Sequence, residues 1–304
     1  MRIVTSGSEY LDIDAYGGCI AYAELLRQGF DASAVSSAPL NESISKTVRS
    51  WEAPLETDYQ PAGLDSFTLV DVSDPKYFDK IVSLDRVDEV IDHHPNFENY
   101  WQRKIGAQAT IDFIGAACTL VYEKWVAAGL LGRLSVLSSR LLTCGILDNT
   151  LNFGAKVTSD RDRRAYKELV SRADLPADWA SQYFDECEDA ILADVAAAIS
   201  KDSKLIDFKT FQDPVCVGQL VVWDSSKVLA DHRADIQSVL SASSADWFMN
   251  LVDVERKTSL FLAADQSVQD WLSDLLSISF ESQLARADRL WLRKEIIKQD
   301  ASRP

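Results

Sequence analysis

Apolar and polar positions along the first half of the chain repeat in the order strand, loop, helix. The apolar run "RIVTS" predicts a buried strand, the polar loop "GSEYLDID" follows it, and "AYGGCIAYAELL" has the spacing of an amphipathic helix. "SFTLVDVSDP" and "VDEVIDHHP" predict two more strands that end in polar residues, and "KYFDKIV" between them predicts a short helix. This alternation is typical of an α/β domain with a mainly parallel sheet flanked by helices.

The second half of the chain predicts a smaller α/β domain. "VCVGQLVVWD", "DWFMNLVDVE" and "SLFLAAD" read as strands, with helical segments between and after them. A charge-rich helical stretch at residues 188–203 predicts a linker. We therefore expect a catalytic domain at residues 1–187, a substrate-binding domain at residues 204–304, and an active site in the cleft between them.

Composition limits the partners and the compartment. The formal net charge of −16 argues against a nucleic acid polymer or an anionic membrane as the main partner, because both need a basic face. No segment approaches the ~20 apolar residues of a membrane span. The five cysteines are scattered through apolar segments, which favours buried free thiols and a reducing, cytoplasmic location.

Acids and a histidine pair follow the predicted strands and one later helix. Carboxyl ends of parallel strands meet at one edge of a sheet, where ligands bind. Alone, each aspartate is explained as a helix cap or a turn residue, and a lone histidine as a structural residue. Together they offer the carboxylate and imidazole mixture that a divalent cation needs: Asp12, Asp14, Asp71, Asp92, His93, His94 and Asp148.

At these positions the chain resembles the DHH phosphoesterase family. The segments "VTSGSEYLDIDAYGGCIAYAELL", "FTLVDVSD", "DEVIDHHP" and "CGILDNTLNF" are similar to its four ordered motifs, and "IGAACTLVYEKW" is similar to its helix with Gly and Thr. Within the family, the branch of manganese-dependent inorganic pyrophosphatases and cytosolic exopolyphosphatases is the most similar.

The resemblance implies a role for each residue. It implies two divalent cations, Mn²⁺ or Mg²⁺ with Co²⁺ as a further candidate, which together supply a nucleophile at neutral pH and neutralise phosphoryl oxygens. Asp71 would bridge the two cations and, with His94, act as a catalytic residue. Asp92 would orient the histidine, and His94 would face the substrate phosphate. The implied metal ligands are Asp12, Asp14, Asp71, His93 and Asp148.

A basic set in the second half is similar to the cations that clamp the terminal phosphates in this branch. Lys209 in "DFKTF", and Arg293 and Lys294 in "LRKEIIKQ", are the matching positions. Cationic side chains of this kind suit a polyanion. A basic last turn of a helix, which complements the helix dipole and needs no ligand, explains Arg293 and Lys294 equally well.

The chain departs from the pyrophosphatase pattern at several positions. Ser8 stands where pyrophosphatases carry a histidine, and Val72 and Ser73 stand where they carry His-Asn. The exopolyphosphatase branch already lacks that first histidine. A serine is shorter than an asparagine, so Ser8 would reach a metal only through water. Because the site then has fewer imidazoles and relatively more oxygen ligands, it would tolerate Mg²⁺ better.

These observations favour an exopolyphosphatase-like, two-metal phosphohydrolase acting on a small anionic phosphate substrate. A manganese-dependent pyrophosphatase and a nucleotide phosphoesterase stay open as alternatives. So does a binding protein that has lost turnover, suggested by Ser8, Leu292 and Glu295. The chain has no glycine after Gly218, whereas the RNA-degrading branch ends in a glycine-rich motif, so we expect no nucleic acid polymer as substrate. An oligomer is compatible with the sequence.

Overall fold

The computed structural model describes residues 1–303. The chain divides into two compact units, the first formed by Met1–Tyr183 and the second beginning at Phe184. None of the helices in the described residues combines the length and the apolar composition of a membrane span.

The first unit is an α/β domain whose elements alternate along the chain. Its elements are β1 (Arg2–Thr5), α1 (Ile13–Leu26), β2 (Ala32–Ala34), α2 (Lys46–Ser50), β3 (Ser66–Val70), β4 (Val87–Asp92), α3 (Glu98–Ile105), β5 (Ala109–Ile111), α4 (Ala117–Ala127), α5 (Val136–Asn149), α6 (Asp160–Val170) and the start of α7 (Trp179–Leu192).

The five strands of this unit form one parallel sheet in the order β2-β1-β3-β4-β5. From β1 the chain steps outward to β2, then crosses back to β3 on the other side. This reversal places a topological switch point between β1 and β3, where open α/β sheets bind their ligands. The predicted parallel sheet is confirmed, and Asp12 and Asp71 follow the two strands that flank its switch point.

Helix α1 lies almost entirely in the core. Thirteen of its residues are buried, so it is apolar on all sides and shows no marked amphipathic face. It packs closely on α5: a methyl group placed on Gly17 would stand 2.9 Å from the carbonyl oxygen of Leu141. The two helices that begin and end with candidate metal ligands therefore meet backbone to backbone.

The predicted helix at "KYFDKIV" is wrong. Only Pro75–Tyr77 form a 3-10 turn, and Phe78 is extended and pairs with Gly7. The cause is Asp79, which is buried and accepts hydrogen bonds from the backbone N–H groups of Ser37 and Ile81. A buried carboxylate that must satisfy its oxygens in this way fixes the segment as a loop.

The second unit is a three-layer α/β domain, and the predicted strands at β7, β8 and β9 are confirmed. Its sheet has the order β10-β11-β9-β8-β7-β6, with β7 and β8 parallel and the other pairs antiparallel. Side chains alternate between two buried clusters, with Val217 on one face and Cys216 on the other. Its elements are α8 (Val195–Lys201), β6 (Ser203–Ile206), β7 (Val215–Val222), α9 (Ser225–Ser243), β8 (Trp247–Asp253), β9 (Thr258–Ala263), α10 (Gln266–Leu276), β10 (Phe280–Glu281), β11 (Leu284–Ala287) and α11 (Arg293–Ala301).

The close packing of α1 on α5 predicts the effect of Gly17→Ala. Alanine favours a helix over glycine by about 1 kcal/mol, but the added methyl group would press on a backbone carbonyl that cannot rotate away. We expect a net loss of about 1–3 kcal/mol, measured as a lower melting temperature. Gly29→Ala is the matched control, since nothing lies within 4 Å of the methyl group added there. Equal melting temperatures for the two variants would contradict this packing.

Candidate metal centre

The loop after β1 places two aspartates at the start of α1. Asp12 is the N-cap residue, and its Oδ1 accepts a hydrogen bond from the N–H of Ala15 at 2.9 Å. Asp14 is fully buried, and its two carboxylate oxygens accept from the N–H groups of Ala117 and Cys118, both at 2.7 Å. These N–H groups open α4, so the positive end of that helix faces the Asp14 carboxylate.

Asp71 leaves the sheet in an unusual backbone conformation. Its N–H still donates to the carbonyl of Ile91 on β4 at 2.8 Å, but its φ is +62°. Few residues other than glycine adopt this left-handed region, and aspartate is among those that tolerate it. Such strain is concentrated at functional sites. Here it accompanies the change from strand to loop at the edge where the other acids lie.

The histidine pair follows β4, and its two rings are held differently. Nδ1 of His93 lies 3.0 Å from the carbonyl of Ile114, which leaves Nε2 at 3.2 Å from Oδ1 of Asp71 and 3.8 Å from Oδ2 of Asp14. Nδ1 of His94 lies 2.8 Å from Oδ1 of the buried Asp92. The side chain of His94 is 56% exposed, so its Nε2 is the nitrogen left for a ligand.

Asp148 ends α5 beside the same cluster. Burial, followed by the charge of Asp12, raises the pKa of Asp148 to about 7. Burial and the charges of Asp12 and Asp14 likewise raise the pKa of Asp71 to about 7. Asp12 and Asp14 thus affect the ionisation of both Asp71 and Asp148, so the four predicted carboxylate ligands form one electrostatic cluster.

The pKa values of both histidines are also raised, but here burial opposes the shift. Burial alone would lower the pKa of His93, but its interaction with Asp71 outweighs burial and raises that pKa to about 10. Burial also opposes the charged form of His94, and the hydrogen bond to Asp92 outweighs it, so the pKa of His94 is raised. In the absence of a metal, protons on these rings balance part of the negative charge of the aspartates.

The arrangement fits divalent cations. Ligand-type atoms of Asp71, His93 and His94 lie within 4.8 Å of one another. Oδ1 of Asp71 is buried and lies 3.2 Å from Nε2 of His93, but neither it nor the buried Oδ2 of Asp92 has a hydrogen bond of good geometry within residues 1–303. Buried polar atoms are rarely left in this way without a function. His94 differs from the other two because its Nδ1 is engaged by Asp92, so Asp71 and His93 are the ligands that this group supports best.

Ser8 lies apart from this hydrogen-bonded network. It is exposed on the loop after β1, and its backbone N–H donates to the carbonyl of Tyr77 at 2.8 Å. Within the described part of the chain, no hydrogen bond joins its hydroxyl to the aspartates. A role for Ser8 through water stays a prediction.

The basic residues predicted to bind substrate lie in the second unit. The ammonium group of Lys209 is exposed and donates to the carbonyl of Arg303 at 3.1 Å. The Arg293 guanidinium forms an ion pair with Asp202 at 2.5 Å, and its backbone N–H donates to Oε1 of Gln219 at 2.6 Å. Lys294 is exposed. The Arg293 side chain thus has an internal carboxylate partner that the sequence did not indicate.

Sequence reasoning missed two residues that hold the site together. The side-chain amide of Asn149 donates to Oδ2 of Asp14. Asp162 is fully buried and accepts from Gly115 N–H at 3.1 Å and from the Thr119 hydroxyl at 2.7 Å, which fixes the segment that presents α4 to Asp14. Asn149 lies inside the motif "CGILDNTLNF", whereas Asp162 lies outside the motifs, in the first turn of α6, where an acidic residue is common.

The chain is similar to a known protein family and to curated proteins over most of its length. Residues 2–146 match the model of the DHH family, N-terminal domain. A Bacillus cereus protein named "probable manganese-dependent inorganic pyrophosphatase" is 24% identical over 97% of this chain and 96% of its own length. A Bacillus licheniformis protein of the same name is 24% identical over 88% of this chain and 87% of its own length.

Two solved structures share the fold. A Methanococcus jannaschii protein proposed to be a family II inorganic pyrophosphatase aligns with a TM-score of 0.62 and 18% identity, covering 99% of this chain and all of the other. An exopolyphosphatase-related protein from Bacteroides fragilis aligns with a TM-score of 0.53 and 14% identity, covering 98% of this chain and 89% of the other. The α/β fold predicted from the sequence is confirmed.

The raised pKa values predict that metal affinity rises with pH. A cation must displace protons from Asp71 and Asp148, whose pKa values are about 7, and from His93, whose pKa is about 10. We expect Mn²⁺ affinity to increase about tenfold or more from pH 6 to pH 7, and at least one proton to leave per chain on binding. Titration calorimetry in buffers of different ionisation enthalpy measures both quantities. Affinity that is independent of pH, with no proton release, would contradict the cluster.

The raised pKa values of Asp71 and Asp148 also make the stability of the metal-free protein depend on pH. Aspartates in the unfolded chain have a pKa of about 3.9, and folding raises it to about 7 at Asp71 and Asp148. Stability contributed by the protonated carboxyls is therefore present below about pH 4 and is lost as pH rises through about 7. Added Mn²⁺ should raise the melting temperature more at pH 8 than at pH 6.

Proposed function

We propose, on the premise that residues 2–146 are a DHH family N-terminal domain, that this protein is a two-metal phosphohydrolase that cleaves phosphoanhydride bonds. The observation that carries the proposal is the cluster of Asp14, the half-buried Asp12, Asp71 and Asp148, and His93 at the carboxyl edge of the parallel sheet. Asp12 and Asp71 would hold one cation, and Asp14, Asp71, His93 and Asp148 the second. When bound, the cations would supply a nucleophile at neutral pH and neutralise phosphoryl charge.

The protein's own groups would orient the reactants. The N–H groups at the start of α4 fix the Asp14 carboxylate, and the Ile114 carbonyl fixes the His93 ring with Nε2 turned to Asp71 and Asp14. Asp92 holds His94 by Nδ1, and the raised pKa of His94 favours the protonated ring. A protonated Nε2 would donate a hydrogen bond to a phosphate oxygen of the substrate.

We favour polyphosphates of short or long chain as substrates over pyrophosphate. Ser8 supplies no imidazole where the pyrophosphatase pattern has a histidine, and its side chain is exposed. Mg²⁺ would serve as well as Mn²⁺ in the resulting oxygen-rich site. A manganese-dependent pyrophosphatase is the second candidate, because the curated relatives carry that name over nearly the whole chain. Lys209, Arg293 and Lys294 stay the predicted ligands of the terminal phosphates.

Phosphate release from a substrate panel tests the proposal. Metal-stripped protein is resupplied with Mn²⁺, Mg²⁺ or Co²⁺ and given pyrophosphate, tripolyphosphate, long polyphosphate or mononucleotides. Metal-dependent release that is fastest with tripolyphosphate or longer chains supports the proposal. Preference for pyrophosphate supports the second candidate, and preference for a mononucleotide supports a nucleotide phosphoesterase. Metal binding without release from any substrate would indicate a binding protein and contradict the assignment as an enzyme.

The variant Asp71→Asn tests the residue on which the cluster is centred. Asparagine keeps the shape and tolerates the positive φ, but it removes the charge that would hold both cations. Mutation of a group that only supports a metal ligand lowers metal affinity or activity by about 10–100-fold. Because Asp71 is itself a predicted ligand, we expect the rate of phosphate release to fall by more than about 100-fold. The metal-free variant should be at least as stable as the wild type, because a repelling carboxylate is gone.

Asp174→Asn is the matched control for that variant. Asp174 also has a positive φ, at +48°, but it is exposed and pairs with Arg140 in the same unit. This control should retain wild-type activity. Asp71→Asn with undiminished turnover would overturn the metal assignment, whereas equal losses in both variants would assign the effect to the backbone.

A further inference from the structure

A buried tyrosine contacts the candidate ligand Asp148. The Tyr183 ring is fully buried, and its hydroxyl lies 3.0 Å from Oδ1 of Asp148 and 2.8 Å from the carbonyl oxygen of Ser43. A tyrosine hydroxyl has one proton, and an ionised carboxylate is a stronger acceptor than a carbonyl. The proton is therefore directed at Asp148 when that carboxylate is ionised.

Ser43 extends the contact to the other end of the cluster. Its hydroxyl accepts a hydrogen bond from the backbone N–H of Ile13 at 2.9 Å. Ile13 stands between Asp12 and Asp14, so Ser43 connects Tyr183 with the segment that carries both aspartates. The neighbouring backbone is held as well, because Leu11 donates to Pro39 and Asn41 donates to Leu11, each at 2.9 Å.

We propose that Tyr183 is a positioning residue for the metal centre, acting on Asp148 directly and on the Asp12–Asp14 segment through Ser43. The role rests on the proposed function, since it supposes that these aspartates bind cations. A ring with no exposed surface has little freedom to turn, so the hydroxyl is a fixed donor. Fixed hydrogen bonds of this kind orient metal ligands and increase metal affinity.

The chain offers an internal control. Tyr22 is also buried, and its hydroxyl donates to a buried carboxylate, Oε2 of Glu89, at 2.5 Å. Glu89 additionally accepts from the ammonium group of Lys124 at 2.8 Å and belongs to no predicted metal site. Removal of either hydroxyl costs one hydrogen bond from a buried tyrosine to a carboxylate. Only Tyr183 should affect the binding of a metal.

The experiment compares Mn²⁺ binding by the full-length wild type, Tyr183→Phe and Tyr22→Phe, using titration calorimetry at pH 8. We expect Tyr183→Phe to weaken binding at one or both sites by about tenfold or more, and Tyr22→Phe to bind within about twofold of the wild type. Both variants should lower the melting temperature of the metal-free protein, since each loses a buried hydrogen bond. A purely structural role for Tyr183 would lower the melting temperature and leave Mn²⁺ affinity unchanged.

The outcomes separate this proposal from the proposed function. No Mn²⁺ binding by the wild type would overturn the metal centre itself. Binding by the wild type with equal affinity in Tyr183→Phe would overturn only the positioning role. If Tyr183→Phe does not fold, Ser43→Ala takes its place, because it removes the hydrogen bond to Ile13 and keeps the carbonyl that faces Tyr183. Weaker Mn²⁺ binding by Ser43→Ala would then support the connection, and unchanged affinity would overturn it.

Discussion

Electrostatic repulsion among buried and half-buried carboxylates is the constraint on which the rest of the first unit depends. Asp12, Asp14, Asp71 and Asp148 stand close enough to act on one another's ionisation, and burial removes the water that would screen them. Without a cation, the cluster is balanced by protons on Asp71, Asp148 and His93. Such a group costs folding free energy, so its presence in a core is best explained by a ligand of positive charge.

The fold meets this constraint by holding each predicted ligand in place in the metal-free protein. The parallel sheet brings Asp12 and Asp71 to its switch point, and close packing of α1 on α5 brings Asp148 near Asp14. The positive end of α4 faces the Asp14 carboxylate, while backbone and side-chain acceptors fix the two histidine rings. Preorganisation of this kind favours metal binding, because little ordering remains to be done when the ion binds.

Local pattern was sufficient to predict the sheet and the acids at its edge, because both depend on short-range periodicity. The strands β1, β3 and β4 are apolar runs that end in polar residues, and the parallel order then brings Asp12, Asp71 and Asp92 to one edge. The same approach wrongly predicted a helix at "KYFDKIV", because the hydrogen bonds of the buried Asp79 override the helical spacing of that segment. The short strands β5 and β6 have too few residues to show a period.

Long-range polar contacts could not be predicted from one sequence. Tyr183 lies 35 residues from Asp148 and 140 from Ser43 along the chain, and nothing in its own neighbourhood marks the hydroxyl as a donor to either. The ion pair of Arg293 with Asp202 spans 91 residues. Motif resemblance supplied the aspartates and histidines, because these stand in contiguous segments, but not the residues that hold them.

The most direct test of a dinuclear centre is electron paramagnetic resonance of the protein titrated with Mn²⁺ at pH 8. Two equivalents should bind per chain, and the spectrum should show a magnetically coupled manganese pair as the second equivalent is added. A six-line spectrum of isolated Mn²⁺ that persists at two equivalents, or the absence of tight binding, would contradict the account of the aspartate cluster as a two-metal site.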